Sequence, residues 1–330
     1  MTNYVFDQSR VIGFYESGTY ATASGAAFWV GGAIEHTSDE GEGIITARYI
    51  GDGTRNYSQL LNGPRTYNNT MNFHIQDWRM LKFALGSCLD AGSPSPYSHT
   101  YAETDNNDQT PEIAGQSLPS FTIEESQRTT VAGSHFVRTF KGCVVDSMNI
   151  IIAQGEPVRM EVGYVAQSVA FSSGAASAVT IDATRPYMWS DTRVHIPSGT
   201  TFDNVTELNI GLTNNNEANH YLDGDRTIGK PVPTMRDYEI SMTLKAQDTN
   251  TKTLYDQYFL GGSTFNMLVP VVQSAGSEEG MLTFSGCRIT DMSAPTTNEA
   301  VSEQVVTIVA QTMGATEADS VQYKNIGSYA

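Results

Sequence analysis

Lysine is scarce in this sequence: six Lys and thirteen Arg stand against 36 acidic residues, for a formal net charge of −17. That balance excludes binding to nucleic acid through a general phosphate-attracting surface, which needs clustered Lys and Arg. It fits adaptation to high salt, simple solubility, or a surface that repels polyanions. Cysteine is scarcer still, with only Cys88, Cys143 and Cys287. Three such distant thiols make neither a disulfide framework nor a zinc site, and free buried thiols are expected. No apolar run approaches the ~18 residues of a membrane helix, and the N-terminus has neither the basic start nor the apolar core of a signal peptide. Membrane insertion is therefore not expected.

The chemistry-bearing patterns are also missing. The six histidines (His36, His74, His99, His135, His195, His220) are scattered, none spaced i,i+4 with another or beside a cysteine. There is no nucleophile elbow, P-loop or dinucleotide fingerprint. Asp105-Asn106-Asn107-Asp108 and Asp223-Gly224-Asp225 carry oxygen ligands, but neither has the spacing of a calcium loop. No catalytic residue, cofactor or metal is expected, and the chain reads as a non-enzyme.

What is present is a repeat. Shifted by 144 positions, Phe140-Lys141-Gly142-Cys143-Val144-Val145-Asp146-Ser147-Met148 falls on Phe284-Ser285-Gly286-Cys287-Arg288-Ile289-Thr290-Asp291-Met292. The same shift puts Phe121 on Phe265, Val162 on Val306, and Val165-Ala166-Gln167 on Val309-Ala310-Gln311. Upstream, Met80–Ser87 resembles Tyr255–Gly262, and Gly51–Arg55 resembles Leu222–Arg226. Self-similarity at one fixed shift is the mark of a duplicated unit. We read residues 1–170 as one module, carrying a Ser-, Pro- and Asn-rich surface-loop insertion over 89–120, and residues 171–330 as the second.

Alternation of period two dominates both halves, as in Glu239-Ile240-Ser241-Met242-Thr243-Leu244 and Val305-Val306-Thr307-Ile308-Val309-Ala310. Such segments, punctuated by Asp-Gly and Gly-Glu-Pro turns, predict an all-β fold of two tandem sandwich or barrel modules. Each module is expected to carry one short flanking helix. The first is predicted from an Asp77 N-cap to Gly86. The second presents Leu254, Tyr255, Tyr258 and Phe259 and stops at Gly261-Gly262.

Four segments then resemble the tail tube proteins of tailed, siphovirus-like bacterial or archaeal viruses. Gly13-Phe14-Tyr15-Glu16-Ser17-Gly18-Thr19-Tyr20-Ala21-Thr22-Ala23 is similar to their G-x-x-x-E-x-T-Y-G-T-A opening, with Ala21 where the family often has Gly. Leu81–Ser87, Leu118–Glu124 and Phe140–Met148 follow in the family's order. The resemblance implies a β-sandwich with a flanking helix that assembles into rings stacked as a hollow tube, through which viral DNA passes without sequence-specific binding. Six modules per ring would make this chain a homotrimer with a pseudo-hexameric ring. It further implies a place in the virion tail, assembly in the host cytoplasm, and tape-measure, terminator or baseplate proteins as partners.

The polar stretches 36–43 and 51–70 are the candidate loops for contact with the next ring. Their residues are His36, Asp39, Glu40, Glu42, Asp52, Arg55, Tyr57 and Arg65. The competing reading is a virion-surface adhesin or carbohydrate-binding protein, with Tyr97, Tyr101 and Asn214-Asn215-Asn216 as its ligand face.

Overall fold

The computed structural model describes residues 9–16, 19–49, 56–91, 97–104, 118–127, 135–182, 184–197, 199–245, 249–273, 279–293 and 303–319. The N-terminal half runs β1 (Arg10–Glu16), β2 (Ala23–Trp29), β3 (Gly32–Ala47), β4 (Gln59–His74), α1 (Met80–Leu85), β5 (Gly86–Ala91), β6 (Tyr97–Glu103), β7 (Phe121–Gln127), β8 (Phe136–Ala153), β9 (Arg159–Val165) and β10 (Ser168–Ser172). The C-terminal half runs β11 (Val205–Thr213), β12 (Asp237–Lys245), α2 (Thr249–Thr253), β13 (Phe265–Val272), β14 (Glu279–Ser293), β15 (Glu303–Val309) and β16 (Thr312–Asp319). The protein is all-β, as the alternation predicts; among the described residues a short 3-10 turn, Trp189–Asp191, adds to the two helical segments.

One long strand organises each half. The first part of β8 pairs with β7 and β10, and its second part pairs with β9. The first part of β14 likewise pairs with β13 and β16, and its second part with β15. A long strand serves two sheets only if it bends, and a glycine in left-handed conformation followed by a bulge provides the bend. Gly142 has φ 65° and Gly286 φ 62°. The bulges follow at Val145/Ser147 and Ile289/Asp291. All of these positions keep the 144-residue spacing seen in the sequence. Cys143 and Cys287, next to the glycines, are fully buried free thiols, and burial pushes the Cys287 thiol up to about 11.

Both halves share one apolar core. In β12, Tyr238, Ile240, Met242 and Leu244 are buried while Glu239 and Lys245 face solvent, so period-two patterning becomes one dry and one wet face. Phe83 from α1 lies 4.8 Å from the ring of Phe121, which in turn meets Tyr164 edge-on at 5.5 Å. Each such buried ring contributes roughly 1.5–3 kcal/mol of transfer free energy. This stack ties the helix to the sheets.

Details differ from the sequence reading in three places. Asp77 is not the N-cap; α1 starts later, and Asp77 instead accepts the Arg79 N–H at 3.0 Å in the turn before it. Gly86 closes the helix as expected, at φ 119°. The second helical segment continues through a wider π-type turn over Leu254–Leu260, burying Leu254 and Tyr258 but leaving Tyr255 exposed. The insertion 89–120 is not all surface loop. It contributes to the hairpin β5–β6, and β6 pairs with β16 of the other half. Buried Glu317 on β16 accepts the Tyr101 hydroxyl at 2.7 Å and the Trp78 N–H at 3.2 Å.

Glu16 closes the first turn. Its carboxylate, 1% exposed, accepts the Ala21 N–H at 2.9 Å, the Thr122 hydroxyl at 2.6 Å and the Gly142 N–H at 2.8 Å. Tyr20 completes the clasp by donating to the Gly142 carbonyl at 2.9 Å. A Cβ at Gly142 would lie 2.8 Å from the Tyr20 ring, so glycine is required there by space as well as by φ. Ala21 sits at φ 58°, a left-handed conformation that costs a non-glycine residue about 1–2 kcal/mol. Ala21→Gly is therefore expected to raise stability by about 1 kcal/mol after the entropic cost of glycine is subtracted, read as a higher urea midpoint at unchanged slope.

Candidate assembly surfaces

Strand β11 pairs with β12 on one side and with the second part of β8 on the other. One sheet therefore runs unbroken through both halves of the chain, in the order β3-β4-β9-β8-β11-β12-β15-β14. The joint is apolar on its core side, where Leu208, Ile210 and Leu212 stand opposite Ile152, Ile150 and Met148, all buried.

A polar clamp locks this joint from the end of β11. The Asn214 side chain, 1% exposed, donates to the carbonyls of Ala84 and Val145, both at 3.1 Å, and accepts from Arg236 Nε at 2.9 Å. Asn216 donates its side-chain amide to Val145 O and its N–H to Asp146 Oδ1, each at 2.8 Å. The β8 bulge presents unpaired backbone groups, and the asparagines satisfy them. The asparagine run proposed as a glycan face is thus largely spent inside the fold. Tyr101 is 1% exposed, which removes a second member of that face; the side chain of Tyr97 lies outside the described residues.

The opposite face of the continuous sheet is solvent-facing and mostly polar, with Val305 and Val309 of β15 as exposed apolar exceptions. One register row crosses all its strands: Glu35, Asn72, Glu161, Asn149, Gly211, Glu239, Val309, Arg288. Carboxylates at Glu35, Asp39, Glu161, Glu207, Glu239 and Glu303 share this face with the cations Arg159, Lys245 and Arg288. Lys245 is already paired with Glu303 at 3.1 Å. The face is net acidic.

Segments 36–43 and 59–70, expected as loops, are strand. They form the long β3–β4 hairpin, whose outer part exposes Ile44, Ile45, Leu60 and Leu61 at 44–66%. The outer part of the hairpin is wet on both faces and shows no inside–outside alternation, which is why it reads as loop; the inner part of β4 alternates, with Tyr67, Asn69, Met71 and Phe73 buried. Glu42 and Arg65 meet at 3.5 Å, and Arg226 from the other half reaches Glu42 at 2.6 Å and Gly63 O at 2.7 Å. The hydrogen bond and charge of Arg226 hold the Glu42 carboxyl below its usual range. Tyr57 lies under the Arg48 guanidinium at 4.4 Å. Asp39 is exposed on the polar face. Asp52 and Arg55 lie outside the described residues, as does Asp105–Asp108. Asp223 and Asp225 spend their carboxylates on backbone N–H groups of their own turn.

His36 and Glu40 belong to a cluster at the hairpin base that includes two partners the sequence reading missed. His36 Nδ1 lies 3.1 Å from Glu125 Oε2, and its Nε2 lies 2.6 Å from the Tyr164 hydroxyl. Arg138 reaches Glu125 at 2.6 Å and both Ser38 and Glu40 at 2.8 Å. Burial pushes the Glu125 carboxyl up, but the His36 hydrogen bond and the Arg138 charge outweigh it, so its pKa falls below the usual 4.5. A depressed carboxylate stabilises the fold above its unfolded pKa, and that contribution disappears as pH falls through the folded value. Urea midpoints measured at about pH 6 and about pH 3.5 should drop more in the native protein than in Glu125→Gln, which lacks the titrating group.

The chain matches the family model described as phage tail tube protein over residues 10–319. A search of curated proteins gives no match. Among solved structures, the chain is similar to the tail of an empty GTA particle refined with helical C6 symmetry. The identity is 16%, covering 37% of this chain and 91% of that one, at a TM-score of 0.29.

Proposed function

Because the chain belongs to the phage tail tube protein family, we propose that its two halves are modules of one kind and that three chains close into a pseudo-hexameric ring. Rings stack into the hollow tail tube, and viral DNA passes through the bore. The observation that carries this reading is the unbroken sheet through both halves, with one apolar face on the core and one acidic face on solvent. A sheet of that kind, repeated around an axis, makes a closed barrel that leaves no free strand edge.

The acidic face then lines the bore. Like charges keep DNA from adhering, over a reach of about 8 Å at physiological salt and about 3 Å at 1 M. The β3–β4 hairpin projects its exposed isoleucines and leucines towards the neighbouring ring, with Glu42, Arg65 and Tyr57 around them; exposed apolar patches of this kind mark contact surfaces. The role is structural and non-enzymatic, in the virion tail, after assembly in the host cytoplasm. Tape-measure protein inside the tube and terminator or baseplate proteins at its ends complete the partners.

Electron microscopy of the purified protein tests this. Rings or tubes are expected, with three chains of 35.9 kDa per ring. A protein that stays monomeric at high concentration across a range of salt would contradict it.

A further inference from the structure

The joint inside one chain serves as a template for the joint between chains. Met71 of β4 is paired with Val162 of β9, and Met242 of β12 with Val306 of β15. Val162 and Val306 are 144 residues apart, so β4 and β12 hold equivalent places. One strand further out, β3 places His36 on Met71 and β11 places Leu208 on Met242. Strand β3 therefore holds in the first half the place that β11 holds in the second.

Strand β11 is continued by β8. Among the described residues β3 has only β4 beside it, and the second part of β14 has only β15. The two open edges are the two sides of the joint that β11 and β8 already make.

We propose that the outer edge of β3 pairs antiparallel with the edge of β14 in the next copy, in the register of the internal joint. Asn149 opposite Gly211 becomes Ser293 opposite Asp39, and Met148 opposite Leu212 becomes Met292 opposite Glu40. The two edges of one chain cannot meet, since seven strand spacings of about 4.8 Å separate them along the sheet. The occupant is a second copy, joined head to tail, the arrangement that closes into a ring. The inference rests on the ring reading above and specifies its seam.

A consistent exchange of side chains separates the two kinds of joint. His36, Ser38 and Glu40 on β3 correspond to Leu208, Ile210 and Leu212 on β11. Their partners Glu125 and Arg138 correspond, at the 144-residue shift, to Val269 and Leu282. The second set is entirely apolar and buried. The first is a hydrogen-bonded ionic cluster at an edge that stands open before assembly. An apolar open edge would template indiscriminate strand addition, and charged side chains at an edge suppress it. The polar set keeps the free chain soluble, while the apolar set serves a joint that is never opened.

Paired cysteines test the register on a Cys88→Ser background. Asp39→Cys with Ser293→Cys places thiols on directly opposed positions of the same sheet face, within disulfide reach. Asp39→Cys with Asp291→Cys sets them two residues out of register, about 7–8 Å apart. In assembled tubes under mild oxidation, the first pair should link most chains, in a ladder that ends at three. The second should link at least about tenfold less. Wild-type protein gives an independent readout, with slowed amide exchange over 37–41 and 289–293 on assembly. Equal linking by both pairs, or rings without that protection, would overturn the seam while leaving the ring intact. Absence of rings would overturn both.

Discussion

Asn214→Ala should cost about 2–3 kcal/mol of stability, because it removes three buried hydrogen bonds at once. Two are donated to carbonyls and one is accepted from a guanidinium, while Val145 O keeps the Asn216 amide and Arg236 keeps Leu85 O. The carbonyls are those of Ala84 at the end of α1 and Val145 at the β8 bulge; the cation is Arg236. The backbone bond from Asn214 N–H to Asp146 O, at 2.7 Å, survives the change. The damage is therefore local to the place where the C-terminal half grips the N-terminal half. Chemical denaturation should show a lower midpoint, and a reduced slope if the two halves then unfold separately. Asn209→Ala, on the polar face of the neighbouring β11, should stay within about 0.5 kcal/mol of the native protein. If Asn214→Ala were equally mild, the clamp would not be holding the halves together.

Glu16→Ala should be comparably severe, at roughly 3–4 kcal/mol, since three donors lose a buried charged acceptor at once. Two of them, Ala21 N–H and Gly142 N–H, belong to the left-handed positions that shape the first turn and the β8 bend. Glu16→Gln retains one carbonyl oxygen and should fall between alanine and the native protein. Limited proteolysis should then cut first near the β1–β2 hairpin. A native-like proteolytic pattern in Glu16→Ala would show that the hairpin is held by its strand pairing alone. Lys230 shares this electrostatic environment: burial lowers its pKa, and the Glu16 charge opposes that shift.

The parts of the fold that are legible in the sequence are those where one residue type meets one geometric need. Gly142 and Gly286 bend long strands, and only glycine takes that φ beside a packed Tyr20 or Gln311. The F-x-G-C repeat is thus the mark that a repeated bend leaves on the amino-acid order. Strands with one dry face, such as β12 and β15, are legible because burial imposes alternation. Strand β3 is not, because its outer part is wet on both faces and solvent imposes no pattern. Strand β6 forms a local hairpin with β5, but its other partner, β16, lies more than 200 residues away and leaves no local signal.

The candidate surface divides in the same way. Glu42 with Arg65, and His36 with Glu40, are brought together as a polar hairpin. Their principal cations, Arg226 and Arg138, lie far away in sequence and are invisible to local spacing. Asn214-Asn215-Asn216 reads as a solvent turn, and nothing local announces that two of its side chains satisfy a bulge on another strand. Ala21 is visible only as a departure from the family pattern. Its positive φ gives that departure a conformational cost.

In the proposed ring, two modules in one chain build half the seams and leave the other half to assembly. Cryo-electron microscopy of the assembled tube, combined with the mass of one ring, tests it most directly. Six sheet units around the bore from three chains are expected, with true threefold and approximate sixfold symmetry. A ring of six chains, or one whose sheets are not continuous from chain to chain, would contradict it.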